Sequence, residues 1–412
     1  MNLAGKIKKY GFMGSLRVAK SHFVSFINRL AYYFCWLFPI NDSLIMMESE
    51  GDLSDNAYAL YDYMRANGYL ERYHVVWLVD DVDSAREKNY YNTEFVVKYP
   101  QKVDLRRAKY LATCRWYIYD HCNLMSSLKS RQSQMLVYLS HGWGYKAAKG
   151  CSRKKDVSRC NYITATGPVS AKGLADYWEE TEEKLLITGY PRIDYFYKKE
   201  PDVAEAINQK WHFCKYSKVI LWMPTFRVSN NKAISEEYIK NQTGLPIFDT
   251  FDDLKDFADF LKLNDVLLVL KLHHLQAELP VFSKEFDNII VIRDEEIKSL
   301  GLQLYQIIPL SDALISDYSS ISIDYLALNK PIVFTLDDYE QYNSSRGLFP
   351  QNAIDYMPGY HVYNIDELKK SISEICSGED KFAEERKKIF PNYHEYNDGM
   401  ASKRILEAIN VV

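Results

Sequence analysis

Short apolar runs, each broken off by a polar residue, recur along the chain and constrain its fold more than any other feature. Leu44-Ile45-Met46-Met47, Val75-Val76-Trp77-Leu78-Val79, Tyr117-Ile118-Tyr119 and Met135-Leu136-Val137-Tyr138-Leu139 form a first set. Val219-Ile220-Leu221-Trp222-Met223, Val266 to Lys271, Ile289 to Ile292, Ala313 to Ser316 and Ile332 to Leu336 form a second. Runs this short, apolar without alternation, suit strands buried on both faces. The helical spacing over Asn56 to Asn67 predicts a crossover helix between two of them. Strands alternating with helices build parallel, doubly wound sheets. Two sets in 412 residues predict an α/β chain of two such domains facing a cleft, 41–197 and 198–412, parted near the polar stretch Lys198 to Asp202. In these sheets ligands bind beyond the carboxyl ends of the strands, so the polar residues that end each run are where chemistry is expected.

The first 40 residues stand apart. Lys6, Lys8, Lys9, Arg17, Lys20 and Arg29 all precede Asp42, the first acidic residue, and alternate with Ile7, Tyr10, Phe12, Leu16, Phe23 and Phe26. The run Leu30 to Pro39 that follows is too short to cross a bilayer, which takes roughly 20 apolar residues. Basic and aromatic residues mixed in a helix-compatible stretch predict an amphipathic segment, 1–40, lying on an anionic membrane surface. The plainer expectation is a helix packed on the first domain. A net charge of −4 argues against general nucleic-acid binding, which needs a basic excess. The seven cysteines are scattered, with no CxxC, and read as reduced thiols; zinc held by Cys114, His121 and Cys122 is the less favoured reading.

Four strand ends carry unusual residues. Ser140-His141-Gly142 follows the run at 135–139, with Lys146 close behind. A histidine between a buried strand and a glycine sits on a turn that exposes its ring, although a lone histidine is more often structural. Pro224-Thr225-Phe226-Arg227 and Lys271-Leu272-His273-His274 end two runs of the second set. Ser316-Asp317-Tyr318-Ser319-Ser320 leads into an expected helix from Ile321 to Asn329. Serines there can cap the helix, or the same turn can offer hydroxyls and backbone N–H groups to a phosphate. No glycine-rich Walker loop and no GxGxxG occurs, which argues against nucleoside triphosphates and Rossmann dinucleotides.

Taken together, these motifs resemble the CDP-glycerol glycerophosphotransferase family of teichoic acid and capsule synthesis. The resemblance runs from about Leu44 to Leu368 and includes Thr188-Gly189-Tyr190-Pro191-Arg192-Ile193-Asp194, Asp324 and Arg346-Gly347. The chain departs from the family at Trp143-Gly144, where threonine and proline are usual, and at His274, where proline is usual. The resemblance implies a glycosyltransferase-B type fold whose C-terminal half holds CDP-glycerol or a related CDP-alditol. An acceptor hydroxyl on a lipid-linked envelope polymer would attack the β-phosphorus, and CMP would leave.

By the same resemblance His141 is the base, and His273 donates to the diphosphate. Thr225, Arg227, Lys271, Asp317, Ser319, Ser320, Asp324 and Arg346 serve the donor phosphates and nucleotide. Gly142, Lys146 and Arg192 stand on the acceptor side, though Arg192 and Asp194 equally suit a structural ion pair. Lys146, Lys149, Arg153, Lys154, Lys155 and Arg159 could grip an anionic acceptor or lipid headgroups, or form a solvated face. No cofactor or metal is implied, the enzyme is expected to be peripheral at the cytoplasmic face of a bacterial membrane, and a homo-oligomer is compatible with the sequence. Competing readings are a ribitol-phosphate transferase, a nucleotide-sugar transferase of the same fold, and a non-catalytic nucleotide-binding subunit. The presence of both histidines and both serines argues against the last.

Overall fold

A computed structural model describes residues 3–121, 124–147, 160–225, 243–272, 274–283 and 286–412. Its strands are β1 (Asn41–Glu48), β2 (His74–Val79), β3 (Thr93–Val97), β4 (Cys114–Tyr119), β5 (Met135–Tyr138), β6 (Tyr162–Ala165) and β7 (Leu185–Ile187). They continue with β8 (Lys218–Trp222), β9 (Val266–Leu270), β10 (Ile289–Val291), β11 (Ala313–Ser316), β12 (Ile332–Thr335) and β13 (Tyr360–Val362). One sheet has the order β3-β2-β1-β4-β5-β6-β7 and the other β10-β9-β8-β11-β12-β13. β1 pairs in parallel with β2 and β4, and β8 in parallel with β9 and β11. The expected pair of parallel, doubly wound α/β sheets is therefore present. The helices that matter below are α1 (Leu3–Phe34), α2 (Asp55–Ala66), α3 (Leu105–Thr113), α4 (Pro168–Trp178), α5 (Ile321–Tyr325) and α6 (Ala401–Ala408). The chain divides into two compact units: Met1–His141, Arg153–Thr164 and Leu406–Val412, and Gly142–Ser152 with Ala165–Ile405.

In the first unit Ile45, Met46 and Met47 of β1 and Val75, Val76 and Trp77 of β2 are fully buried, because both faces of the sheet are covered. Asp104 caps α3 by accepting from the Arg107 N–H at 2.8 Å. Against this region lies one face of α1. Val24, Asn28, Ala31 and Tyr32 are buried there. Asn28 donates to the Lys102 carbonyl and accepts from the Asp104 N–H, and the Tyr32 hydroxyl donates to the Lys129 carbonyl. On the opposite side Phe23, Phe26, Leu30, Phe34 and Leu37 are at least half exposed, at the three- and four-residue spacing of one helical stripe. Cys114 opens β4 and His121 lies past its other end, so the strand's five steps of roughly 3.3 Å stand between them, and among the described residues no cluster of His, Cys, Asp or Glu could hold a metal ion. Cys114 and His121 cannot share a zinc ion.

In the second unit β9 is buried along its whole length. Leu254, Phe257 and Leu261 of the helix Phe251–Leu263 join its core. That helix starts with a capping box, Thr250 accepting from the Asp253 N–H and Asp253 from the Thr250 N–H, worth about 1 kcal/mol. The helix expected from Ile321 to Asn329 is α-helical only through Tyr325. It tightens to a 3-10 turn over Leu326–Leu328 and ends at Asn329 in the left-handed region, φ 48°.

Candidate active site

In the first unit, neighbouring strands deliver polar residues to one edge of the sheet. β1 ends at Glu48 and leads to Glu50, β4 leads to Asp120 and His121, and β5 leads to Ser140 and His141. Asp120 is fully buried and accepts from the N–H groups of Glu50 and Ala57, both at 2.9 Å. It thus caps α2 from outside the helix, while burial and then nearby Asp55 push its carboxyl well above the usual carboxylate range. Glu48 pairs with Lys98 at 2.7 Å, both buried. Burial pulls the Lys98 ammonium down, but the charge and hydrogen bond of Glu48 outweigh it.

His141 sits between two left-handed residues, Ser140 at φ 56° and Gly142 at φ 102°. The Ser140 carbonyl is held by the Asn56 side-chain amide at 2.8 Å, which fixes an otherwise unfavourable turn. This turn lifts the imidazole off the end of β5. Its Nδ1 lies 3.0 Å from the Tyr138 hydroxyl, and its ring meets His121 edge to face with centroids 5.1 Å apart. Nε2 of His121 is 3.6 Å from Glu50 Oε1.

In the second unit Asp317 follows β11 with no exposed surface, and it ties two strand ends together. Its carboxylate accepts from the Thr225 N–H at 2.8 Å, the Thr225 hydroxyl at 2.6 Å and the Ser319 N–H at 3.2 Å. These bonds orient Thr225 and the serine turn. Ser319 and Ser320 are half-buried, and the Ser320 side chain makes no capping bond to α5.

The segment after His141 is pressed onto that turn. A Cβ on Gly142 would come within 2.6 Å of Arg192 Nη2 and 2.9 Å of Ser320 Oγ, and one on Gly144 within 2.6 Å of the Tyr318 carbonyl. Glycine at both positions permits the close approach. Lys146 bridges Leu348 in antiparallel fashion, and the Phe349 N–H donates to the Tyr145 carbonyl at 3.0 Å. Arg346 lies just before this contact, its guanidinium 5.5 Å from the Tyr342 ring centre. Lys146 and Arg346 thus flank the same stretch.

Arg192 pairs with Asp324 at 2.7 Å, not with Asp194, and both partners are buried. The Tyr305 hydroxyl also donates to Asp324, and the Arg192 guanidinium stacks 4.5 Å from the Tyr305 ring centre. Asp194 instead caps α6, accepting from the N–H groups of Ala401 and Ser402 at 2.9 and 2.8 Å. The Arg192–Asp194 ion pair is therefore replaced by two separate buried interactions. Lys271 reaches Asp294 at 3.1 Å. His273, Arg227 and Lys149 to Arg159 lie outside the described residues. Tyr138, Glu50 and Tyr305 did not stand out in the sequence. His121 did only as a zinc candidate, although it follows a buried strand just as His141 does.

The sequence model of the family described as CDP-Glycerol:Poly(glycerophosphate) glycerophosphotransferase matches residues 30–411. A teichoic acid glycerol-phosphate transferase of Staphylococcus aureus (strain NCTC 8325 / PS 47) is 27% identical over 259 residues, 62% of this chain and 62% of its own length. A teichoic acid glycerol-phosphate primase of Bacillus subtilis (strain 168) is 23% identical over 407 residues, 94% of this chain and 96% of its own. The chain thus spans about three-fifths of the first relative and nearly all of the second. A structure of the wall teichoic acid polymerase TagF, a variant soaked with CDPG, superposes with a TM-score of 0.73 at 19% identity, covering 96% of each chain. That likeness shows the fold. With the family match extending over almost its whole length, the chain belongs to the CDP-glycerol:poly(glycerophosphate) glycerophosphotransferase family.

Proposed function

We propose that the chain transfers glycerol phosphate from CDP-glycerol to a hydroxyl of a lipid-linked envelope polymer. His141 takes the proton of the acceptor hydroxyl as its oxygen bonds to the β-phosphorus. The bond from that phosphorus to the CMP oxygen breaks, and CMP leaves with the electron pair. The hydroxyls of Ser319 and Ser320 hold phosphate oxygens, and Arg346 and Lys146 supply positive charge. Asp317 and Thr225 set the shape of the serine turn, while the Arg192–Asp324–Tyr305 network fixes the wall behind it.

The observation that supports this reading is the close packing, within the second unit, of Gly142 and Gly144 against Arg192 and the Tyr318–Ser320 turn that Asp317 organises. The test is incubation of the protein and a lipid-linked acceptor with CDP-glycerol, CDP-ribitol or a UDP-sugar. CMP release with CDP-glycerol supports the assignment, whereas turnover of only one of the other donors would replace it.

The stripe Phe23, Phe26, Leu30, Phe34 and Leu37 suits attachment to an anionic membrane surface, with Arg17, Lys20 and Arg29 exposed on the same helix. Among the described residues no helix is long and apolar enough to cross a membrane. Co-sedimentation with anionic vesicles should be salt-sensitive and fall when the stripe is changed to serine; unchanged binding would refute attachment through this face.

A further inference from the structure

We infer that Trp143 is a positioning residue for the donor phosphates, holding the Gly144 backbone against the serine turn at Tyr318–Ser320. The inference rests on the reading of Ser319 and Ser320 as phosphate ligands.

The residues involved all belong to the second unit. Gly144 sets the fit on one side. A Cβ there would come within 2.6 Å of the Tyr318 carbonyl oxygen and 2.8 Å of the Ser320 nitrogen. Two backbones packed this closely cannot shift independently, because a filled interior passes a displacement on. Whatever fixes residue 144 therefore fixes the serine turn.

The indole of the preceding residue does so. Trp143 is 6% exposed and meets Tyr177 of α4 edge to face, with ring centres 5.2 Å apart, and Phe349 in the same manner at 6.2 Å. Its rim lies on Gly173 of α4, where a Cβ would come within 2.3 Å of Nε1 and 2.6 Å of Cε2. Glycine inside a helix costs stability, and the room taken by the indole explains its place here. The Nε1–H is buried without a partner among the described residues, a further cost that a phenylalanine would avoid. Beyond Trp143 the Phe349 N–H donates to the Tyr145 carbonyl and the Ala147 N–H to the Gly347 carbonyl at 3.1 Å. The segment anchored by the indole thus holds the serine turn on one side and the stretch that follows Arg346 on the other.

The test uses the full chain labelled with ¹⁵N-tryptophan, the Trp143 indole signal being assigned by its loss in Trp143→Phe. In wild type that signal should shift as CDP-glycerol is added to saturation. An unmoved signal overturns the inference whether or not any other variant folds. In calorimetry Gly173→Ala should weaken CDP-glycerol binding about tenfold, since the displaced indole carries Gly144 with it, and should do no further harm in a Trp143→Ala background. Trp143→Phe, which keeps a ring against Tyr177 and Phe349, should recover most of the affinity lost in Trp143→Ala. Wild-type affinity in Gly173→Ala and Trp143→Ala, beside weakened binding when Ser319 and Ser320 are both alanine, overturns the role of Trp143 alone. Wild-type affinity in that serine variant removes the phosphate reading and this inference with it.

Discussion

At or just beyond the ends of β1, β4 and β5 stand Glu48, Glu50, Asp120, His121 and His141, whereas beyond β8 and β11 stand Thr225, Asp317, Ser319 and Ser320. The first group is titratable throughout, and the second consists of hydroxyls around one carboxylate whose oxygens already accept three hydrogen bonds. Two sheets of the same architecture thus end in different chemistry. On the proposed reading the first edge serves proton transfer and the second serves phosphate binding. Phosphoryl transfer to a hydroxyl needs both.

The largest effect is expected at the Arg192–Asp324 pair, next to the serine turn. Asp324→Ala leaves the guanidinium buried without its carboxylate and should cost about 3–5 kcal/mol of stability, read as a lower urea midpoint. A midpoint within a few tenths of wild type would mean that the pair does not organise the second unit.

A smaller effect sharpens the contrast. Replacing Ser319 and Ser320 together by alanine should weaken CDP-glycerol binding by about 1–3 kcal/mol in calorimetry and leave stability nearly unchanged, since Ser320 makes no capping bond. Lost stability with intact donor affinity would return these serines to a structural role.

The smallest effect concerns a histidine of the second unit with no part in the chemistry. His394 is fully buried, its Nε2–H donating to the Ile323 carbonyl at 2.8 Å, and burial holds its pKa below the usual 6.5. The unfolded chain therefore binds the extra proton first. Stability is complete above about 6.5 and declines as pH falls below it toward the folded-state value, by no more than about 1.4 kcal/mol per pH unit. His394→Gln should flatten that slope in urea titrations between pH 7.5 and 5.5. An unaltered slope would assign it to other groups.

What the sequence made legible follows from the same physics. β1, β2, β8, β9, β11 and β12 announce themselves because strands covered on both faces need unbroken apolar runs. β7 and β13 escape notice because they have only three residues each, β3 because it opens on the polar Thr93 and Glu94, and β6 because Thr164 makes it look less apolar. His141, Asp317, Ser319 and Ser320 could be found by asking what ends each strand. The partnership of Arg192 with Asp324 could not, since 132 residues separate them and a nearer aspartate, Asp194, offered an equally sensible partner. Tyr138 was hidden for the opposite reason: it reads as one more apolar residue of β5, and only the turn that folds His141 back toward its hydroxyl sets it apart.

Proton transfer is assigned to His141 and donor binding to the other strand ends. This assignment is tested most directly by measuring CMP release from CDP-glycerol in the presence of a lipid-linked acceptor, alongside calorimetric donor affinity, for wild type and His141→Ala. Turnover should fall by about 10²-fold or more with donor affinity unchanged. Normal turnover in the variant would contradict it and move the base to another residue.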